Sequence, residues 1–194
     1  MNIFWFRRDL RVDDNVGFFQ ALNSDEEVLP IFIFDEEILS QLPKNDARVT
    51  FIHEQLEKIQ SELMKHGKSL AVFYAKPIEI FEKLIAENKI TSVYTNHDYE
   101  PYARKRDKEI NQLFVANGIS FLTSKDQVIF EKSEVVKDDG SPYVVYTPYS
   151  KKWKENFKKI KLVNYPSEEK LDKIVKSPPR HRHSYSIINV IIIS

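Results

Sequence analysis

The sequence contains no cysteine, and this absence excludes several kinds of protein at once. Disulfide frameworks, thiolate metal sites, iron–sulfur clusters and cysteine nucleophiles all need the missing side chain. Glycine is also scarce, since the chain has only Gly17, Gly67, Gly118 and Gly140 among its 194 residues. A phosphate-binding loop needs several glycines close together, so the Walker A loop and the dinucleotide-binding fingerprint are both excluded.

Long hydrophobic runs are missing as well. The apolar start at residues 2–6 is interrupted by Arg7 and Arg8, whereas a signal peptide places its basic residues before a longer apolar run. The isoleucine-rich run at residues 187–193 is far shorter than the ~18 residues of a membrane helix. The sequence therefore predicts a cytoplasmic protein without a membrane partner.

The formal net charge is zero, but the two signs are distributed unevenly along the chain. Residues 1–100 carry 11 Lys/Arg and 18 Asp/Glu, whereas residues 101–194 carry 18 Lys/Arg and 11 Asp/Glu. A basic segment can face phosphates or an acidic partner, and it can equally be a solvated surface. Composition leaves both alternatives open.

Apolar periodicity predicts strands that alternate with helices. The short β-type runs lie at residues 3–6, 28–34, 69–75, 90–95 and 119–123. Helices are predicted at residues 16–22, at 46–66, from Pro77 onward and at 103–117. Strands joined by helices form parallel sheets covered on both faces. We therefore predict an α/β fold with a five-stranded parallel Rossmann-like sheet and helices on both faces.

Local signals set some of the predicted boundaries. Asp13 or Asp14 is a candidate N-cap for the helix at 16–22. Gly67 stands where a left-handed C-cap would end the helix at 46–66. Residues 128–130 suggest a further extended piece.

The region after residue 135 has a different pattern. A turn signal at residues 137–142 precedes an aromatic run at 143–149, which we expect to be extended, and a lysine-rich stretch at 151–161. The last residues begin with Pro178-Pro179 and suggest no packed element. We predict an α/β domain over 1–135, an irregular interdomain linker over 136–176, and a disordered or non-native tail over 177–194.

Ligands of parallel sheets bind at the carboxyl ends of the strands, near the point where strand order reverses. The first predicted strand is followed by residues 7–11, Arg-Arg-Asp-Leu-Arg. These arginines could hold a carboxylate or a phosphate. They could equally pair with the aspartates of the same loop and hold it in place.

Two further loops carry polar side chains at strand ends. Asp98 and Glu100, in the loop after the fourth predicted strand, are suitable acceptors for the ring N–H groups of a flat heterocycle. Phe34, Tyr99 and Tyr102 could supply stacking surface. The histidines lie too far apart in sequence for a metal site, and no Ser–His–Asp arrangement is present, so no metal ligand and no catalytic residue is predicted.

Residues 5–11, Trp-Phe-Arg-Arg-Asp-Leu-Arg, together with Asp14-Asn15, resemble the opening of the DNA photolyase/cryptochrome family. Three later stretches resemble the same family, namely DARVTFIHEQL at 46–56, NHDYEPYARKRD at 96–107 and YVVYTPYSKKW at 143–153. The resemblance covers about residues 1–163. It implies the N-terminal α/β domain of that family, which often holds a light-harvesting antenna chromophore.

The resemblance also implies what longer members of the family do. Their all-helical domain binds FAD and damaged DNA, and it splits cyclobutane pyrimidine dimers by light-driven electron transfer from reduced FAD. The sequence after about residue 162 does not resemble that domain, so we expect this chain alone to bind no FAD, to repair no DNA and to contact DNA weakly at most. A cryptochrome-type photoreceptor or interaction module is the alternative. An unrelated nucleotide-binding domain is disfavoured, because arginines stand where its phosphate loop would need small residues.

For the antenna, the resemblance implies both a class of chromophore and a set of residues. Folate-binding members have an Asn-Glu pair before the arginine aligned with Arg104, whereas this chain has Tyr102-Ala103, so a deazaflavin or a flavin is favoured over a folate. The positions that match antenna contacts of the family are Arg8, Leu10, Phe34, Asp35, Arg48, Asp98 and Glu100. We expect Arg48→Ala to weaken chromophore binding, and substitutions in the arginine loop at 7–11 to destabilise the fold.

Overall fold

The computed structural model describes residues 1–176, so the predicted tail at 177–194 lies outside the described residues. The strands are β1 (Asn2–Phe6), β2 (Val28–Asp35), β3 (Ala71–Ala75), β4 (Ser92–Asn96) and β5 (Ser120–Ser124). They form one sheet in the order β3-β2-β1-β4-β5, and every neighbouring pair is parallel. The predicted α/β fold with a five-stranded parallel sheet is confirmed.

The helices connect the strands as the periodicity predicts. They are α1 (Val16–Leu22), α2 (Glu36–Leu39), α3 (Ala47–Lys65), α4 (Pro77–Glu87), α5 (Pro101–Ala116) and α6 (Tyr146–Phe157). Gly67 follows α3 with φ +66°, the left-handed conformation predicted for this helix end. The N-cap of α1 is Asn15, and the prediction of Asp13 or Asp14 was wrong. Asn15 is buried and its side chain accepts from the Phe18 amide at 3.1 Å, whereas both aspartates are exposed.

Side-chain alternation along the central strand divides the core between the two faces of the sheet. Ile3 and Trp5 of β1 pack in the cluster formed with α4 and α5, whereas Phe4 and Phe6 pack in the cluster formed with α1 and α3. All four side chains are at most 1% exposed. The ring of Phe81 from α4 meets Trp5 edge-on, with the ring centroids 5.1 Å apart. Burial on both faces makes β1 the rigid centre from which the neighbouring loops are positioned.

The segment after β5 differs from the sequence-based expectation in two places. Residues 128–130 do not form a strand. The run at 143–149 is extended only at its start, because α6 begins at Tyr146. The helix is explained by its aromatic stripe: Trp153 stacks on Phe157 at 5.1 Å and meets Phe130 at 5.5 Å. Trp153 and Phe157 are four positions apart, the spacing that brings two side chains into contact on one face of a helix.

The chain then returns to the domain through the 3-10 helix Ser167–Lys173. Leu171 and Ile174 are at most 2% exposed and belong to the core cluster under α1 and α3. Ile174 bridges Val28 in parallel at the beginning of β2. Lys68 is buried and donates from Nζ to the carbonyl oxygens of Asp172, at 2.8 Å, and Ile174. The end of the predicted linker therefore packs against the α/β domain, while the proposed domain boundaries remain a prediction.

Candidate functional site

The order of the strands reverses beside β1, which is where ligand crevices form in parallel sheets. The chain adds β2 and β3 on one side of β1 and then crosses to add β4 and β5 on the other side. In open parallel sheets, ligands bind at the carboxyl ends of the strands where the order reverses in this way. At this edge of the sheet, residues 7–15 follow β1 and residues 97–100 follow β4.

A buried hydrogen-bonded knot joins these two loops. Asn96 donates from Nδ2 to Asp9 Oδ2 at 2.6 Å and to Asn15 Oδ1 at 2.8 Å. Its own Oδ1 accepts from the Gly17 amide at 2.9 Å. Asp9 also accepts from the Arg7 amide at 2.9 Å, so its buried carboxylate has partners from several segments. The knot fixes the ends of β1 and β4 relative to the start of α1.

Arg7 is committed to structural partners. Its side chain is 6% exposed, and Nη1 donates to both carboxylate oxygens of Asp107, at 2.8 and 2.7 Å. Nη2 donates to the carbonyl oxygen of Asn96, and the guanidinium lies 5.1 Å from the centre of the Trp5 ring. Burial lowers the pKa of Arg7, and Asp107 opposes this effect. Arg7 therefore links β1 to α5 and has little surface for a ligand.

Arg11 is committed in the same way. It donates to the two carboxylate oxygens of Asp126 at 2.9 and 2.8 Å, and to the carbonyl oxygen of Asp14 at 2.8 Å. Asp126 has a side chain only 1% exposed and also accepts from the Val16 amide. Arg7 and Arg11 thus hold the loop after β1 in place by pairing with aspartates, which is one of the two alternatives that the sequence left open. Their carboxylate partners, however, come from α5 and from the end of β5 instead of the loop itself.

Arg8 has the opposite character. Its side chain is 57% exposed; Nε lies 3.7 Å from Asp98 and Nη1 lies 3.5 Å from Glu100. Both carboxylates follow β4, so the structure brings together three of the predicted binding residues at the switch point. Glu100 is 58% exposed, whereas Asp98 is 9% exposed. Long ion pairs of an exposed arginine are worth little, and Arg8 can therefore exchange its partners for a ligand.

Asp35 lies at the end of the neighbouring strand β2 in a second polar group. Tyr102 donates to its Oδ2 at 2.8 Å, and Arg106 Nη1 lies 3.7 Å from the same oxygen. Burial and the hydrogen bond to Asp35 raise the pKa of Tyr102, so its hydroxyl stays protonated. The Arg106 guanidinium in turn lies 4.7 Å from the centre of the Trp5 ring. Asp35 is only 6% exposed, and these contacts satisfy it internally.

The other predicted binding residues lie apart from these two groups. Phe34 is 4% exposed and packs edge-on against Phe32 in the core, so its ring offers almost no stacking surface. Leu10 is half-buried against the same cluster. Arg48 is 70% exposed and pairs with Asp46, the N-cap of its own helix, at 2.7 Å. The hydrogen bond from Arg48 lowers the pKa of Asp46 to about 2.

His97 lies next to this crevice but belongs to a different cluster. Its Nδ1 lies 2.6 Å from Glu131 Oε1, and its Nε2 lies 3.0 Å from the Thr123 hydroxyl. Burial alone would raise the pKa of Glu131, but the hydrogen bonds from Tyr99 and His97 hold it below its usual range. Both ring nitrogens of His97 are thus engaged in hydrogen bonds. Within residues 1–176, no group of His, Asp and Glu side chains has the arrangement of a metal site.

The sequence did not reveal the residues that hold the loop after β1 from distant positions in the chain. Asp107, Asp126 and Asn96 bind the loop after β1, although 81–115 residues separate them from the groups they contact. One local signal was available. The buried stripe of α5 runs Ala103, Arg106, Ile110, Phe114, and a charge at a core position of an amphipathic helix indicates a buried partner.

Comparison with known proteins gives a consistent result. The family profile described as DNA photolyase matches residues 2–170. A deoxyribodipyrimidine photo-lyase from Synechococcus sp. is 30% identical over 151 residues, which are 78% of this chain and 31% of the relative. A bacterial class III photolyase structure from Agrobacterium tumefaciens is 31% identical with a TM-score of 0.68, over 76% of this chain and 30% of that chain.

A second solved structure extends the match. The archaeal photolyase from Sulfolobus tokodaii, whose structure contains two FAD molecules and was interpreted as implying a novel light-harvesting cofactor, is 27% identical with a TM-score of 0.71. The match covers 94% of this chain and 44% of that one. The chain thus spans about a third of the length of the first two relatives and less than half of the third. Among the helices of residues 1–176, none is long and apolar enough to cross a membrane.

Proposed function

Because the chain belongs to the DNA photolyase family, we propose that it is the light-harvesting domain of a deoxyribodipyrimidine photolyase. In this proposal, a flat antenna chromophore binds at the carboxyl edge of the sheet, between the loops that follow β1 and β4. One observation carries the proposal: Arg8, Asp98 and Glu100 converge at the switch point in long ion pairs of 3.7 and 3.5 Å, in which Arg8 and Glu100 are more than half exposed and Asp98 is 9% exposed. Their neighbours Arg7 and Arg11 are already committed to carboxylates with little exposed surface.

The residues present fit the polar part of such a chromophore. Arg8 supplies N–H donors for a carbonyl or phosphate oxygen, and the carboxylates of Asp98 and Glu100 accept from ring N–H groups. Half-buried Tyr102 supplies apolar surface, since Phe34 is enclosed in the core. The bound antenna would supply absorption of near-ultraviolet or blue light, and these side chains would hold and orient it.

We propose a deazaflavin or a flavin as the chromophore. The Tyr102-Ala103 pair disfavours folate, and the interpretation given to the Sulfolobus tokodaii structure supports a flavin in the family. Light-driven splitting of pyrimidine dimers by reduced FAD is, in this proposal, the activity of the longer relatives. The cryptochrome-type alternative and the cytoplasmic location both stay predictions.

The proposal is tested by absorption and fluorescence titration of the purified chain with FMN, FAD, a deazaflavin and a folate. We expect saturable binding of a flavin or deazaflavin, accompanied by a shifted absorption band. Arg8→Ala should weaken it about tenfold or more, because a hydrogen bond to a charged group contributes ~1.5–3 kcal/mol. Arg48→Ala tests the predicted contact from α3, and Arg104→Ala, which changes an exposed arginine of α5, is the matched control.

Two results would contradict the proposal. The first is a chain that binds none of the four chromophores while its melting curve shows a folded protein. The second is equal weakening by Arg8→Ala and Arg104→Ala, because binding would then depend on net charge instead of on the crevice.

A further inference from the structure

Three side chains from separate segments of the chain meet in a row beside the candidate site. The Nε2 atom of His97 lies 3.0 Å from the hydroxyl oxygen of Thr123, and its Nδ1 atom lies 2.6 Å from Glu131 Oε1. A hydroxyl, an imidazole and a carboxylate joined in this order form the arrangement by which enzymes activate a nucleophile. The sequence does not display it, because 26 and 34 residues separate His97 from its two partners.

Backbone contacts hold the three side chains in place. Thr123 lies in β5, which pairs with β4 along its length. The His97 amide continues this ladder beyond β4 by donating to the Ser124 carbonyl oxygen at 2.8 Å. The Glu131 amide is bound by the carboxylate of Glu134 at the start of the short 3-10 helix that follows. The hydroxyl, the imidazole and the carboxylate are therefore anchored before any substrate arrives.

The hydrogen bonds decide which ring nitrogen of His97 carries the proton. Burial opposes ionisation of Glu131, but the hydrogen bonds from Tyr99 and His97 hold its pKa below its usual range. An ionised carboxylate only accepts hydrogen bonds, so Nδ1 of His97 is the N–H donor. In the neutral imidazole, Nε2 then has a free lone pair and accepts from the Thr123 hydroxyl. This is the tautomer that a general base needs.

We propose that Thr123 is a nucleophile that accepts an acyl group from a small activated ester, with His97 as its general base and Glu131 as the residue that positions the base. Oγ1 of Thr123 forms a bond with the carbonyl carbon of the ester while its proton passes to His97 Nε2. The bond between that carbon and the leaving oxygen then breaks, and the proton passes from Nε2 to the leaving oxygen. The products are a threonine ester and a free alcohol or phenol.

The surroundings of the row fit a neutral acyl donor. Thr123 is exposed and lies in an edge strand of the sheet, so that an ester can reach its hydroxyl. The side chains of His97 and Glu131 are only 26% and 11% exposed, which keeps the base partly shielded from water. A phosphoryl donor would bring negative charge towards the carboxylate of Glu131, whereas an ester is uncharged. The activity does not depend on chromophore binding.

The experiment incubates the whole chain with p-nitrophenyl acetate at pH 8 and locates acetyl groups by peptide mass spectrometry. Alkaline hydroxylamine removes an acetyl group bound as an ester but not one bound as an amide to lysine. We expect ester-linked acetyl to form on Thr123 at least ~100-fold faster than on Thr91, because general base catalysis contributes ~10²–10⁴-fold. Thr91 is also exposed and precedes β4 at the opposite edge of the sheet.

Variants separate the roles of the hydroxyl and the base. Thr123→Val keeps the shape of an exposed side chain and should abolish the signal, whereas Thr123→Ser should retain it. His97→Gln should slow acetylation of Thr123 by ~100-fold. His66→Gln is the matched control, since His66 is exposed at the end of α3, and it should leave the rate unchanged. Melting curves check that every variant folds.

The positioning role of Glu131 is measured on the imidazole itself. Long-range ¹H–¹⁵N NMR spectra distinguish the two neutral tautomers of histidine, and we expect the Nδ1–H form of His97 in wild type. Glu131→Gln should shift His97 towards the Nε2–H form and slow acetylation of Thr123; an unchanged tautomer would refute this role. The proposal is overturned if folded wild type forms no ester on Thr123, if Thr91 reacts as fast, or if His97→Gln and His66→Gln have equal effects.

Discussion

Replacing Arg7 by methionine should destabilise the protein far more than the same replacement of the adjacent Arg8. The two arginines share a loop and a charge, but Arg7 has a side chain 6% exposed and Arg8 one that is 57% exposed. Methionine keeps much of the length and apolar volume of the side chain and removes the guanidinium. The comparison therefore isolates the charged contacts.

The expected loss of stability depends on the carboxylate that each substitution leaves without its arginine. Breaking a buried ion pair costs ~3–5 kcal/mol. Asp107 is 20% exposed and still has Arg106, whose Nη2 lies 3.1 Å away, so we expect the low end, ~3 kcal/mol, for Arg7→Met. For a domain of this size, that corresponds to a fall of roughly 6–12 °C in Tm. Arg8→Met should cost at most ~1 kcal/mol, because exposed ion pairs contribute little.

The assay is urea denaturation followed by tryptophan fluorescence, since the Arg7 and Arg106 guanidinium groups both lie against Trp5. Arg7→Lys serves as a milder variant if Arg7→Met does not fold. A double-mutant cycle with Asp107→Leu measures the coupling directly, and the double variant should be clearly less destabilised than the sum of the single ones. Equal losses for Arg7→Met and Arg8→Met, or strict additivity in the cycle, would refute this account of the loop.

Three further outcomes are expected from the same structure. In Gly17→Ala, the added Cβ would lie 2.6 Å from Asn96 Oδ1, so urea denaturation should show a loss of ~1–3 kcal/mol, and a loss near zero would show that the knot can shift freely. The pKa of Glu131 in the folded protein lies below its ordinary value of 4.5, so the ionised carboxylate stabilises the fold above pH 4.5. This contribution is lost as the pH falls through the lower folded-state pKa. Melting curves between pH 3 and 7 should therefore show a weaker acid dependence for Glu131→Gln than for wild type, and identical profiles would contradict the assignment. Lys68→Met leaves two carbonyl groups without their donor, so hydrogen exchange at residues 167–175 should accelerate, and unchanged protection would mean that apolar packing alone holds this segment.

Local chemistry was sufficient for most of the architecture. The alternation of apolar side chains has a period of two in a strand and 3.6 in a helix, and both periods are visible in the sequence. They located the five strands and the four connecting helices, and they placed residues 7–11 and 98–100 in loops at one edge of the sheet. The left-handed conformation of Gly67 after α3 was likewise predicted from neighbouring residues.

The helix α6 shows where local patterns were insufficient. The run at 143–149 contains β-branched and aromatic residues that favour an extended chain. Its second half is helical because Trp153, which stacks on Phe157, packs on Phe130, a residue outside the helix. A contact of that kind overrides intrinsic propensity, and the sequence alone does not reveal it.

By itself, the sequence determined the parallel α/β fold and the motifs shared with the family, and it predicted the edge of the sheet at which a ligand would bind. Only the tertiary structure decided which charges at that edge remain open. Arg7, Arg8 and Arg11 are indistinguishable as neighbours in sequence, yet Asp107 and Asp126 engage two of them and leave Arg8 exposed. The physical reason is that pairing depends on which loops meet, and the crossover of the chain from β3 to β4 brings α5 and the end of β5 beside β1.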